Sequence, residues 1–287
     1  MITSNSFTDY ILLDAGDKEK LESWKGIILR RPDPMALWPK TNKELWNSAD
    51  AYYIRSNKGG GHWEYNKRLP ESWNVNYKDL TFRVSPTNFK HTGLFPEQSA
   101  NWDFIDEKIR NKKDAKILNL FAYTGAATMV AANAGASEVV HLDASKGINE
   151  WAKENMKLSH LENKTIRFIV DDALKFTSRE IRRGRKYDGI IMDPPSYGRG
   201  PDNELFKFED KINPLIINCL QLLSDDPLFF IINTYTTGYS STVMHNTLRR
   251  YVEENKLNGH IEADEIGIGI EESDYILPCG QTTRWYR

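Results

Sequence analysis

The sequence predicts an α/β fold. A doubly wound, Rossmann-like parallel sheet carries an antiparallel C-terminal hairpin and is preceded by a small β-rich module. Three observations lead there. From Lys116 onward, apolar runs alternate with helical stretches, as βα units with a parallel sheet require. Before about Pro86, short β-rich runs are broken by turn residues and no helical period is sustained. A chain of 287 residues is long for one small core and suits a main domain with an attachment. The expected division is residues 1–85 and residues 86–287.

In the first part, "YILLDAGD", "KGIILRRP", "DAYYIR", "GHWEYN" and "KDLTFRVSP" read as strands of an antiparallel module. "SNKGGG" and "RLPESWN" separate them as loops, Gly59-Gly60-Gly61 being a strong loop signal. "TNFKHTGLFPEQSANWDFIDEKIR" reads as a loop leading into a helix. "KILNLFA" is then a strand apolar on both faces. "AATMVAANAG" is a helix closed by Gly135. "EVVHLDA", "IRFIVDDA", "YDGIIMDPP" and "PLFFIINTY" are further strands, separated by the helices of "INEWAKENMKLSHL" and "PLIINCLQLL". "TVMHNTLRRYVEENK" is a last helix, and "HIEADEIGI" and "TTRWYR" form the terminal hairpin.

Composition narrows the function classes. The net charge of −2 argues against indiscriminate binding to nucleic acid while leaving room for a local basic patch. No apolar run approaches the ~18 residues that span a bilayer. "MITSNSFTDY" lacks the basic-then-apolar pattern of a signal peptide, so a cytoplasmic location is expected. Two distant cysteines, Cys219 and Cys279, make neither a disulfide framework nor a metal site.

Ligands of open α/β sheets bind outside the carboxyl ends of the strands. Here the first of the parallel strands delivers "FAYTGAAT", with Gly125 for a tight turn. The second delivers Asp143, at about the twenty-residue spacing where an acid meets a ribose. The third delivers Asp171-Asp172 and the fourth Asp193-Pro194-Pro195. Singly, each has a plainer reading: an ordinary turn, a helix N-cap, a strand terminator. Their shared edge favours a site. One glycine, with no G-x-G-x-x-G and no P-loop lysine, points to a nucleoside ligand rather than a dinucleotide.

The assembled set, "LNLFAYTGAAT…HLDAS…VDDALKF…YDGIIMDPPSYGRG", resembles class I S-adenosylmethionine-dependent methyltransferases. More narrowly it is similar to the bacterial 23S ribosomal RNA large-subunit cytosine methyltransferases and their relatives, over the C-terminal two-thirds of the chain. "KHTGLFPEQSANW" looks like that family's lead-in. The resemblance implies S-adenosyl-L-methionine as cofactor. Phe121, Tyr123, Thr124 and Gly125 would line its methionine and ribose side, Asp143 and Ala144 the ribose, and Asp172 and Ala173 the adenine. Asp193 would lie by its amino group and methyl, while Phe95 and Gln98 would cover the pocket. Asp193, Pro194, Pro195 and Tyr197 would position the substrate, Tyr197 by stacking on a base. One departure matters. Methylation of cytosine carbon-5 needs a nucleophilic thiolate, and "INTYTTGYSS" after the fifth strand holds no cysteine. A nitrogen acceptor is therefore expected.

The expected partner is ribosomal RNA. Arg179, Arg182, Arg183, Arg185 and Lys186 form a basic cluster that either meets phosphates or completes a solvated helix end. Trp38, Trp46, Tyr52, Tyr53, Trp63, Tyr65 and Trp73 either stack bases or fill the core of the first module. A methyltransferase of a small molecule or protein, and a cofactor-binding protein without catalysis, stand as alternatives.

Overall fold

The computed structural model describes residues 1–41, 43–56, 60–87 and 90–287. Gly59 of the expected loop, and Asn88 and Phe89 of the lead-in, lie outside the described residues. The chain divides into two compact units. One comprises Ile2–Ala100 and Ile266–Cys279; the other comprises Met1, Asn101–Glu265 and Gly280–Arg287. This division differs from the expected boundary at 85/86. The chain beyond residue 85 turns back, Ser85 N–H donating to the Thr92 carbonyl at 2.9 Å. A segment from near the C-terminus also joins the early strands.

In the N-terminal unit, β1 (Tyr10–Gly16), β2 (Glu19–Trp24), β3 (Ile27–Pro32), β4 (Ala51–Arg55) and β5 (Gly61–Tyr65) form one sheet in that order. β6 (Trp73–Tyr77) and β7 (Leu80–Val84) form a separate antiparallel pair. The all-antiparallel expectation is corrected at β3 and β4, which pair in parallel across the crossing of residues 33–50. The sequence pattern shows neither β2 nor β6. β2 escapes because its charged residues point inward: Glu22 is fully buried, and so is its partner Arg31 on β3, at 2.5 and 2.9 Å. Ile2 bridges to Ile266 and Leu12 to Ile270, so the return segment is tied to the first strand.

Of the seven aromatic residues, Trp46 and Tyr53 are buried, and Trp38, Tyr52, Trp63 and Trp73 are half-buried and bonded within the unit. Trp46 Nε1 donates to Asp14, Trp38 Nε1 to the Ala15 carbonyl, Trp63 Nε1 to the Thr87 carbonyl and Trp73 Nε1 to the Trp24 carbonyl. Tyr52 donates to Glu64, and Tyr53 packs edge-on against Trp63. Tyr65 is exposed.

The C-terminal unit opens with α1 (Ser99–Arg110), whose first two residues group with the other unit. β8 (Lys116–Leu120), α2 (Ala126–Asn133), β9 (Glu138–Asp143), α3 (Lys146–Leu158), β10 (Ile166–Val170), α4 (Ala173–Arg182) and β11 (Gly189–Met192) follow. A short ribbon, β12 (Tyr197–Arg199) and β13 (Leu205–Lys207), precedes α5 (Phe208–Leu222), β14 (Phe229–Thr234), α6 (Ser241–Glu254), β15 (His260–Gly269) and β16 (Ile276–Tyr286). The main sheet has the order β10-β9-β8-β11-β14-β16-β15, parallel through β14, with β16 antiparallel to β14. Strand order reverses between β8 and β11, the place where such folds bind ligands.

The apolar strands are central because they are buried on both faces: Ile190, Met192, Phe229, Phe230, Ile231 and Ile232 are each at most 3% exposed. One core joins Leu118, Leu120, Val140 and Leu142 to Phe176, Leu215, Cys219, Met244 and Leu248 of the covering helices. The last strand begins at Ile276 rather than near Thr282, which puts Cys279 inside β16. The β12–β13 ribbon leaves no signal in the sequence, since three-residue strands are too short to show a period.

Candidate active site

Phe121, Tyr123 and Gly125 have positive φ, +56°, +50° and +87°. The chain thus leaves β8 through three left-handed residues, a conformation that disfavours any residue with a Cβ. Asp143 holds it there. One carboxylate oxygen accepts from Tyr123 N–H at 3.0 Å and the other from Ser145 N–H at 2.9 Å. Ala122 N–H donates to the Leu142 carbonyl at 2.9 Å, which ties the turn to β9 a second time. Burial raises the Asp143 carboxyl above its ordinary range, and the Ser145 and Tyr123 N–H groups oppose the rise. Gly125 is enclosed: a Cβ there would lie 3.1 Å from Met129 Cε, 3.2 Å from Ala152 Cβ and 3.3 Å from His141 Cε1.

Beneath the turn runs a polar network that the sequence reading missed. Asn119 Nδ2 donates to Thr128 Oγ1 at 3.0 Å, and Thr128 Oγ1 shares a hydrogen bond with His141 Nδ1, 2.9 Å away. His141 Nε2 is buried without a hydrogen-bond partner. Burial pushes the ring down to about 3, against a smaller raising effect of the Tyr123 backbone, so it is neutral at ordinary pH. From α3, the buried Asn155 donates to the Thr124 carbonyl at 2.9 Å, and Asn149 donates to the Asp143 and Ser145 carbonyls at 3.1 and 3.0 Å. The signal was in the sequence as polar residues at positions the apolar period assigns to the core: Asn119, His141, Asn149 and Asn155.

The other expected residues fall as follows. Asp172 is the N-cap of α4, accepting from Lys175 N–H at 2.9 Å, and Ala173 is packed in the core. Asp171 accepts from Asp172 N–H at 2.8 Å and pairs with Arg179. Asp193 stands next to the β8 turn, its N–H donating to the Leu120 carbonyl at 3.4 Å across the switch point. Ala144 is half-buried directly after Asp143. After Pro194 and Pro195, Ser196 Oγ lies 2.9 Å from Thr236 Oγ1, and Tyr197 is exposed on β12. Phe95 and Gln98 belong to the N-terminal unit: Phe95 leads into a 3-10 turn, Pro96–Gln98, and Gln98 is buried in it.

Most of the basic cluster is engaged in ion pairs, Arg179 with Asp171 among them. Arg183 pairs with Glu180, and Arg185 with Glu138 and Glu180; Lys186 donates to the Gln221 carbonyl. At the carboxyl end of β14, Asn233 accepts from Asn101 at 2.9 Å, and Thr234 presents a buried hydroxyl. The thiols are elsewhere. Cys219 is buried in α5 and its thiol is pushed up by burial; Cys279, in the N-terminal unit, is pushed up by burial and by Glu97.

These residues fit the cofactor implied by the sequence. A carboxylate anchored at the end of β9 is the acceptor a ribose needs. Comparison with known proteins agrees. The family model described as S-adenosylmethionine-dependent methyltransferase matches residues 54–221. The crystal structure of a SAM-dependent methyltransferase from Agrobacterium tumefaciens is 34% identical with a TM-score of 0.94, over 99% of this chain and 92% of that one. The ribosomal RNA large subunit methyltransferase K/L of Syntrophotalea carbinolica is 32% identical over 52% of this chain and 20% of its own length. The ribosomal RNA large subunit methyltransferase K of Neisseria meningitidis serogroup B is 26% identical over 61% of this chain and 49% of its own. The chain thus spans between a fifth and a half of these two relatives. With the glycine turn, the anchored acid and the strand order in place, the chain belongs to the S-adenosylmethionine-dependent methyltransferases.

Proposed function

We propose that this chain methylates a base of RNA, ribosomal in origin, and that the acceptor is a nitrogen. The observation that carries the reading is the carboxyl edge of the sheet. Asp143 locks the turn leaving β8, and the bond from Asp193 N–H to the Leu120 carbonyl sets the turn begun by Asp193 beside it at the same edge. S-adenosylmethionine, when bound, supplies an electrophilic methyl group on a sulfonium. Asp143 accepts from the ribose hydroxyls with the oxygen lone pairs its two N–H bonds leave free. Asp193 accepts a hydrogen bond from the amine to be methylated and so aligns its lone pair. Pro194 and Pro195 stiffen the backbone that holds it. Alignment is most of what such a displacement needs, and the base must first be flipped out of its stack. The nitrogen acceptor is favoured because carbon-5 chemistry calls for a thiolate, while Cys219 is enclosed in α5 and burial opposes ionisation of Cys279. The ribosomal relatives support the substrate class.

The test has two parts. Calorimetry with S-adenosylhomocysteine is expected to give saturable heat, lost or weakened at least tenfold in Asp143→Ala. Tritium transfer from labelled cofactor is expected to reach ribosomal RNA made without this modification. Absent heat in the parent refutes the cofactor site, and label in protein or small molecules refutes the RNA substrate.

A further inference from the structure

We infer that the outward face of the β12–β13 ribbon is a docking strip for the single-stranded RNA flanking the target base. The inference rests on the RNA reading above. In the ribbon Tyr197 is paired with Lys207, Gly198 with Phe206, and Arg199 with Leu205. Successive strand residues face opposite sides, so the middle pair points one way and the four outer residues the other. The middle pair points inward. Phe206 is 4% exposed, its ring edge-on to Phe121 at 5.2 Å, and a Cβ on Gly198 would lie 3.1 Å from Pro195 Cγ. The ribbon therefore lies against both turns that frame the crevice: the one leaving β8 and the Asp-Pro-Pro turn.

The outward side carries Tyr197 at 57% exposure and Leu205 at 42%, with Arg199 and Lys207 also exposed. The acids of the connecting turn are already engaged. Lys175 pairs with Glu204 and, at 3.5 Å, with Asp202; Glu204 also accepts from Asp202 N–H at 2.9 Å. No carboxylate among the described residues forms an ion pair with Arg199 or Lys207. A tyrosine ring between two uncommitted cations is the pairing that binds single strands: a face for a base and charges for the backbone. Glu209 and Asp210 follow directly in α5 and close the strip with charge that repels phosphate. The strip spans roughly 7 Å along each strand, the reach of one or two nucleotides.

Tyr197 thus acts on a neighbour of the target rather than as a wall of the methyl-transfer pocket. The test is fluorescence anisotropy of a labelled, unstructured dozen-nucleotide RNA against full-length protein with saturating S-adenosylhomocysteine, over a salt series. Tyr197→Ala is expected to weaken binding about 5- to 100-fold and Tyr197→Phe to preserve it, since stacking needs the ring and not the hydroxyl. The double variant Arg199→Gln/Lys207→Gln is expected to lower the magnitude of the log–log salt slope by about 1.4, two phosphate contacts on a single strand. Parent-like affinity and slope in both the Ala and the double variant overturn the strip while leaving the RNA reading intact. A parent that binds S-adenosylhomocysteine but no RNA overturns the RNA reading and the strip with it. Displacement of the RNA by an acidic peptide at equal concentration assigns the face to a protein partner and overturns the strip.

Discussion

Replacing Gly125 with alanine tests the turn at its tightest point. The residue has φ +87° and ψ 20°, and a left-handed alanine costs about 1–2 kcal/mol. Contact adds to this. Met129 Cε can move aside, but Ala152 Cβ on α3 and the His141 ring on β9 are fixed by their elements, at 3.2 and 3.3 Å. Relieving two such approaches adds about 1 kcal/mol, at the low end of overpacking costs. Against it stands a gain of about 0.4–1 kcal/mol from the stiffer unfolded chain. The net loss is about 1–2.6 kcal/mol. If the turn escapes the strain by shifting, the loss appears instead in cofactor affinity, as roughly 5- to 80-fold. Gly135→Ala is the control: its φ is +107°, yet nothing lies within 4 Å of the added methyl. Urea denaturation and calorimetry with S-adenosylhomocysteine on both variants separate strain from contact. Gly125→Ala that matches Gly135→Ala in stability and the parent in affinity would refute the enclosure argument.

Further outcomes follow from the buried charges and thiols. His141 is held neutral down to about pH 3, whereas the unfolded ring titrates near 6.5. Below about pH 6.5 the unfolded state takes up a proton that the native state does not, so stability falls with pH, by about 2 kcal/mol at pH 5. Burial and Arg31 hold His91 down to about 4, so it adds to the same window, and His141→Gln is expected to remove about half the slope in urea midpoints measured from pH 7 to 5; an unchanged slope counts against the buried-imidazole account. Arg31→Leu leaves the fully buried Glu22 with Lys20, at 3.9 Å, as its remaining ion-pair partner among the described residues, beside the bonds it accepts from Tyr10 at 3.0 Å and Trp24 at 2.8 Å. A cost of about 3–5 kcal/mol is expected, partly recovered in Arg31→Leu/Glu22→Leu; a loss below about 1 kcal/mol in the single variant contradicts it. Cys279→Ala is expected to transfer methyl groups within twofold of the parent in the tritium assay, and a tenfold loss would restore a thiolate mechanism.

The parallel core was legible because burial on both faces writes itself as an unbroken apolar run, as in "KILNLFA" and "PLFFIINTY". Asp143 was legible because its distance from Gly125 is set by one βαβ unit. Other features were hidden for stated reasons. β2 reads as surface because Lys20 and Glu22 are charged, and their burial depends on Asp33 and Arg31, which the chain supplies from a neighbouring strand and the turn after it. His141 and Asn119 read as interruptions until Thr128 joins them. Asp172 shows the limit of a single residue type: the structure makes it an N-cap, and a carboxylate that met a ligand would have the same local sequence. Tyr197 was found as an aromatic beside the crevice, but its side of the ribbon is decided by Gly198 and Phe206, and their partnership needs the register.

The return of residues 266–279 to the first strands has a consequence for how the protein is made. Ile2 and Leu12 emerge from the ribosome first, yet Ile266 and Ile270 emerge last among their partners. At about 5–20 residues per second, on the order of 10 to 50 s of synthesis separates the two. Through that interval the N-terminal unit lacks the segment that pairs with β1, and the growing chain must keep an unfinished edge from finding another partner. The early half of the molecule is therefore completed by its late half, and damage near residue 270 is expected to be felt in the first hundred residues as readily as in the last.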